Sequence, residues 1–341
     1  MASGGPIPFQ LRPNKHVERL LFMELLSYVD RAFHLGDGAY MSMGGHALED
    51  HRLFHERFGS THLLSFDSDW AAVTRQKFNR PYSFIKCEEM SSSQFVNDFG
   101  TIASNSGSAG PFVVWLDYTS PAARHSQLRE LQDLVSRMAS GDVVKVTLNA
   151  APHSLAQRED RPHSDGRIVK GWRREAATLL HHQLDDYAPQ ESFRPEQMNA
   201  SGLAEILLEA VRLASAAGIA DVPSLSVWPL ASFRYTDAAH QMLTVTLLVG
   251  DNEDWHTLER TGFSDWQFAS GGRPGPTLIK LPVLTIKEQL RIAEEVMVND
   301  PAQIVANLPF QLEQDSDEST RQIEEYVLHY LRYPTFATVN V

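Results

Sequence analysis

The residues best suited to chemistry stand at the ends of short apolar runs. The run over residues 39–43 closes in Ser42-Met43-Gly44-Gly45, just before a helical stretch. Glycines at a strand-to-helix turn let a nucleotide-like ligand come close to the backbone, and the helix N-terminus can then face its polar groups. A second run, 62–66, leads into Asp67-Ser68-Asp69. A carboxylate there can accept hydrogen bonds from both ribose hydroxyls, and the step from Gly45 to Asp67 is close to the ~20 residues of dinucleotide-binding folds. Asp67 is the candidate, with Asp69 a ready cap for the next helix. A fourth run, 112–116, ends in Asp117-Tyr118-Thr119-Ser120-Pro121. An Asp at the carboxyl end of a central strand sits where open α/β sheets bind ligands. Thr147 and Asn149 end the fifth run and border the same crevice. Each of these also has a plain structural reading: a tight turn, a helix cap or a packed side chain.

Other constellations are weaker. His51 and His55 lie four apart on an expected helix, a spacing that can share zinc, but Arg52 stands where a zinc protease needs Glu. Cys87 lies in Lys86-Cys87-Glu88-Glu89 and reads as a small buried hydrophobe. The sequence contains neither a Gly-x-Ser-x-Gly elbow nor a phosphate-binding Gly-x-x-x-x-Gly-Lys-[Ser/Thr] loop. Arg167, Lys170, Arg173 and Arg174 form a basic cluster around Trp172, suited to a phosphate-bearing or acidic partner or simply to a solvated helix start.

The elements that must position these residues alternate. Strands are expected at 39–43, 62–66, 82–87, 112–116 and 143–148, and helices at 14–33, 46–58, 70–78, 93–102 and 127–139, the first capped by Asn14. Alternation with fully apolar strands implies a parallel sheet covered on both faces. A His- and Arg-rich loop over 153–167 breaks the rhythm, and helices follow at 172–184 and 202–217. Strands at 224–233 and 242–249, joined through Tyr235-Thr236-Asp237, suit an antiparallel hairpin. Thr285 and Glu288 form a capping box that would start a helix running to about Val298. Residues 315–318 read as an acidic linker before a last helix at 320–331. The expected organisation is a flexible arm (1–13), a core (14–150), a helical insertion or cap (151–222), a hairpin completing the sheet (223–250) and a helical C-terminal region (251–341).

Composition bounds the class. Hydrophobic residues make up 43% of 341, enough for a packed core. With 30 Lys+Arg against 43 Asp+Glu the formal charge is −13, which disfavours a protein that coats nucleic acid. One cysteine excludes an intramolecular disulfide or a multi-cysteine metal site and suits a reducing cytoplasm. Neither a membrane-spanning helix nor a secretory signal is expected.

This layout resembles the class I S-adenosylmethionine-dependent methyltransferase superfamily over about residues 14–150 and 224–250. The resemblance implies an α/β, doubly wound, mostly parallel sheet ending in an antiparallel hairpin, here with a helical insertion and a helical C-terminal region. It implies S-adenosylmethionine as cofactor. Ser42, Gly44 and Gly45 would cradle its methionine and ribose, Asp67 would hold the ribose, and Glu88 or Glu89 the adenine amino group. Asp117 would orient the methyl acceptor and Tyr118 would stack on it. The first turn departs from the superfamily's acidic residue and Gly-x-Gly. Two functional classes therefore stay open: a methyltransferase of unknown acceptor, and a Rossmann-like nucleotide-binding or scaffolding subunit without transfer chemistry, its partner docking on the insertion or the C-terminal region. A nicotinamide-dependent reductase fits the terminal hairpin less well.

Overall fold

The fold is read from a computed structural model that describes residues 12–155, 171–189, 193–237, 240–271 and 275–334. The Val- and Leu-rich runs become β1 (Ala39–Ser42), β2 (His62–Asp67), β3 (Lys86–Glu89), β4 (Phe112–Asp117) and β5 (Val143–Asn149). Interleaved with them are α1 (Pro13–Phe33), α2 (Glu49–Phe58), α3 (Trp70–Asn79), α4 (Ser92–Ser104) and α5 (Arg124–Val135). Helices α6 (Trp172–Leu184) and α7 (Ala200–Gly218) follow, then the hairpin strands β6 (Ser226–Asp237) and β7 (His240–Gly250). Helix α8 (Asn252–Glu259), strand β8 (Thr277–Ile279) and helices α9 (Ile286–Ala293), α10 (Pro301–Asn307) and α11 (Ser316–His329) complete the described chain.

The sheet order is β3-β2-β1-β4-β5-β7-β6-β8. The first five strands pair in parallel and β5 pairs antiparallel with β7. The order reverses between β1 and β4, which opens a crevice at their carboxyl ends. One sheet face buries Met41, Leu64, Phe66, Val114 and Leu116 against α4, α5 and α7. Phe66 stacks on Phe95 of α4 at 4.2 Å, and burying one such ring contributes about 2 kcal/mol. On the opposite face Tyr40 stacks on Phe54 of α2 at 4.8 Å.

The chain divides into two compact units. The first comprises Met23–Arg234 and His240–Thr277, and the second comprises 12–22, 235–237 and 278–334. Within the second, Arg12 forks onto both carboxylate oxygens of Asp237 at 2.8 Å and Tyr333 donates to the Pro282 carbonyl at 2.8 Å.

Several expectations shift. Asn14 does not cap α1, which starts at Pro13; its side chain instead donates to the Thr236 carbonyl and accepts from the Leu281 amide. Helix α2 starts at Glu49, because Leu48 before it is left-handed (φ 51°). Strand β3 starts at Lys86, because Tyr82 and Phe84 stack on each other and pack on His55 of α2. Helix α5 starts three residues earlier than expected and ends four earlier, with Arg124 buried at its start. The hairpin strands reach Asp237 and resume at His240, and β8 adds an eighth strand. Helix α9 ends at Ala293, short of Val298. The expected acidic linker is instead the start of α11: Asp315 caps it, with Asp317 and Glu318 in the first turn, where acidic groups favour the helix dipole. Among the described residues no helix is long and apolar enough to cross a membrane.

Candidate functional site

Past β1 the chain makes a tight turn against β2 and β4. The Met43 amide donates to the Trp115 carbonyl at 3.2 Å, and the Gly44 carbonyl accepts from Gln76 Nε2 at 2.7 Å. A Cβ on Gly44 would lie 2.3 Å from Ser65 Oγ and 2.9 Å from Leu48, so only glycine lets the turn close on β2. Gly45 is exposed, with open space beside it. Ser42 is buried and donates to Asp50 at 2.8 Å, as does Tyr40. Its hydroxyl braces the turn from inside.

At the end of β2 the Asp67 carboxylate is partly buried and accepts the Asp69 amide at 2.8 Å; burial raises its pKa above the usual range. Asp69 caps α3 by accepting from Ala71. In the β2–β3 register Asp67 stands beside Glu89 and Phe66 beside Glu88, so Glu89 shares the face of Asp67 and Glu88 lies on the other. Both glutamates are exposed. Cys87 between them is buried, which raises its thiol pKa.

Asp117, at the end of β4, is half-buried and makes no side-chain hydrogen bond among the described residues. It does not cap α5, whose N-cap is Ala123. Tyr118 does not offer the open ring expected of it. It is 5% exposed, packs in the core, and its hydroxyl donates to Glu130; burial, then that carboxylate, pushes its pKa well up. Thr147 is buried and accepts from Trp115 Nε1 at 2.8 Å. Asn149 accepts the Ala151 amide at 3.0 Å.

Sequence reasoning missed three residues here. Arg124 is fully buried and reaches the carbonyls of Pro121 and Asn149, Ser154 Oγ and Gln183, tying the loops after β4 and β5 to α6; burial lowers its pKa to about 10. His153 sits on the loop so clamped, and its ring lies 5.8 Å from that of His240 at the start of β7. Both rings are exposed, beside the carboxyl end of β5. The polar loop from His153 was the only signal, and it did not point to His240.

The remaining candidates are bound up elsewhere. His51 donates from Nε2 to the Leu64 carbonyl and His55 from Nδ1 to the Ser60 carbonyl. Trp172 packs partly against the core, with Arg173 over its ring at 5.5 Å. Arg167 and Lys170 lie outside the described residues. Cavities of about 360 and 70 Å³, lined in part by Arg57 and Phe58 and by His62 and Lys86, sit toward the amino-terminal edge of the sheet.

A reversed parallel sheet with an antiparallel last pair, a glycine turn at the end of β1 and carboxylates at the ends of β2, β3 and β4 defines the Rossmann-like class that holds nucleotide cofactors. Residues 7–341 match the family described as "Putative O-methyltransferase" (Methyltransf_35), and the chain belongs to that family. It is an S-adenosylmethionine-dependent methyltransferase-like protein. No curated protein matches the chain. Among solved structures it is similar to the N-methyltransferase NodS from Bradyrhizobium japonicum WM9 (12% identity, 69% of this chain and 97% of that one, TM-score 0.33). It is also similar to an O-methyltransferase from Bacillus cereus in complex with SAH (10%, 67% and 79%, TM-score 0.34). A third is an S-adenosylmethionine-dependent methyltransferase from Anabaena variabilis ATCC 29413 (9%, 69% and 86%, TM-score 0.38). The residues present fit the cofactor: Gly45 leaves backbone open and Asp67 is a partly buried acceptor at the neighbouring strand end.

Proposed function

We propose that the chain transfers a methyl group to a hydroxyl acceptor, with the cofactor at the carboxyl ends of β1, β2 and β3 and the acceptor beside β4 and β5. The bound cofactor supplies a methyl group activated on a sulfonium. Gly44 and Gly45 bind it, Asp67 accepts its ribose hydroxyls, and Glu89, or Glu88 across the strand, meets the adenine amino group. Asp117 orients the acceptor by accepting its hydroxyl hydrogen bond. His153 and His240 can take up the proton that a methylated hydroxyl releases. Alignment supplies much of the rate in such a displacement.

The observation that carries this reading is Asp67: a partly buried carboxylate at a strand end, one strand away from an open glycine turn. The test is calorimetry with S-adenosylhomocysteine. Wild-type protein is expected to bind it in the micromolar range, and Asp67→Ala to bind at least about tenfold more weakly, since two hydrogen bonds to a charged group are lost. No binding by folded wild-type protein sinks the reading.

The inward-facing Ser42 and Tyr118 favour a second reading, a nucleotide-binding subunit without transfer chemistry. It predicts S-adenosylhomocysteine binding without methyl transfer to any member of a hydroxyl-acceptor panel. Exposed Val283, Leu290, Met297 and Val298 in the C-terminal unit support a protein partner there. The buried free thiol of Cys87 fits a cytoplasmic protein.

A further inference from the structure

Gln76 is fully buried on α3, far from any expectation of chemistry. A buried amide is costly unless its donors and acceptor are used. Its Nε2 donates to the Gly44 carbonyl at 2.7 Å, and its Oε1 accepts from Ser65 Oγ at 3.1 Å. A carbonyl can only accept, so the amide orientation is fixed by its partners. The same turn contains Leu48 in the left-handed region, buried, a conformation that costs about 1 kcal/mol or more and persists only where the surroundings enforce it. The enforcement is visible. Ser65, Leu48 and His51 crowd Gly44, and His51 is itself tied to the Leu64 carbonyl at 3.0 Å.

The 44–45 peptide is trans, since no cis bond occurs, and in a trans peptide the C=O and N–H point opposite ways. A Gly44 carbonyl held inward by Gln76 therefore turns the Gly45 N–H outward. That N–H makes no hydrogen bond among the described residues, and Gly45 is exposed. Outward backbone N–H groups at a glycine turn are donors for anionic and polar ligand groups. We propose that Gln76 is the positioning residue of the cofactor turn, holding the Gly45 N–H as a hydrogen-bond donor to the cofactor. The inference rests on the cofactor reading above.

The test measures S-adenosylhomocysteine affinity for wild type, Gln76→Met and Gln76→Glu at pH 8 and pH 5.5, with melting curves alongside. Gln76→Met keeps the volume and loses the donor. It is expected to bind about tenfold more weakly at both pH values, as for loss of one buried hydrogen bond. Gln76→Glu offers only lone pairs to the Gly44 carbonyl when ionised and an O–H when protonated. Its deficit is expected at pH 8 and should close at pH 5.5. Arg75 and Lys77 on α3 itself, Asp50, His51 and His55 on α2, Tyr40 on β1, His62 and Asp67 on β2 and Lys86, Cys87, Glu88 and Glu89 on β3 are among the titratable groups on the surrounding elements, and the wild-type profile subtracts them. A merely structural glutamine would lower melting temperature without that pH-dependent recovery. Should a Gln76 variant not fold, Ser65→Ala, which removes one of the two hydrogen bonds, is expected to weaken binding two- to fivefold. Wild-type affinity in every folded variant, or a Gln76→Glu deficit that persists at pH 5.5, overturns the inference while leaving the cofactor reading intact. Absence of binding by wild type removes both.

Discussion

Asp142 shows how one buried residue can set a pH response. Its two oxygens accept the Phe112 and Ala139 amides at 2.7 and 2.8 Å, just before β5, and burial pushes its pKa up to about 6. In the unfolded chain the same group titrates near the ordinary carboxylate value of about 4. The folded state therefore holds the proton more tightly. The stability that this provides is full below about pH 4 and is lost as pH rises through about 6, in total roughly 3 kcal/mol as an upper limit. Asp142→Asn is expected to flatten that part of the pH profile in denaturant melts. It should also lower stability at pH 4 by about 1 kcal/mol, because one amide oxygen cannot serve both backbone donors.

At the scale of elements, caps decide where helices begin. The Thr285 hydroxyl accepts the Glu288 amide while Glu288 accepts the Thr285 amide, closing the box at the start of α9. Thr285→Ala is expected to cost about 1 kcal/mol, read as a shift of the denaturation midpoint without a change of slope. That box was legible in the sequence, as were β1, β2, β4 and β5, because continuous apolar runs between turns have few other solutions. Strand β3 was misplaced because Tyr82 and Phe84 are as apolar as a strand yet serve α2. The start of α2 was missed because nothing in the residue type of Leu48 announces a left-handed backbone. Of the proposed site, Gly44, Gly45, Asp67 and Asp117 could be nominated from sequence because their types carry chemistry at recognisable places. Gln76 and Arg124 were not, because half of their partners are backbone carbonyls, which any sequence supplies, and the side-chain partners lie far off in the chain. Ser42 and Tyr118 looked available because sequence gives the position of a residue and not which way its hydroxyl is engaged.

At the scale of the whole molecule, the two compact units each bury a group whose shift acts on stability in the opposite sense with pH. Asp142 belongs to the first unit and His329, fully buried on α11, to the second. Burial, then Arg332, lowers the His329 pKa to about 4, against about 6.5 in an unfolded chain. Its contribution is full above about pH 6.5 and is lost as pH falls through about 4. Calorimetry from pH 7 to pH 4.5 is expected to move a transition of the second unit down, and His329→Gln to remove most of that movement. A single transition that shifts alike in wild type and variant counts against the assignment. The sheet itself ends on β3, four residues long, with Lys86, Glu88 and Glu89 all exposed. A rim of open N–H and C=O groups invites a neighbouring molecule to zip on, and charge on a short strand discourages it. The glutamates proposed to meet the adenine are thus also expected to keep concentrated solutions dispersed, so under that proposal replacing them with apolar residues trades ligand contact against colloidal behaviour.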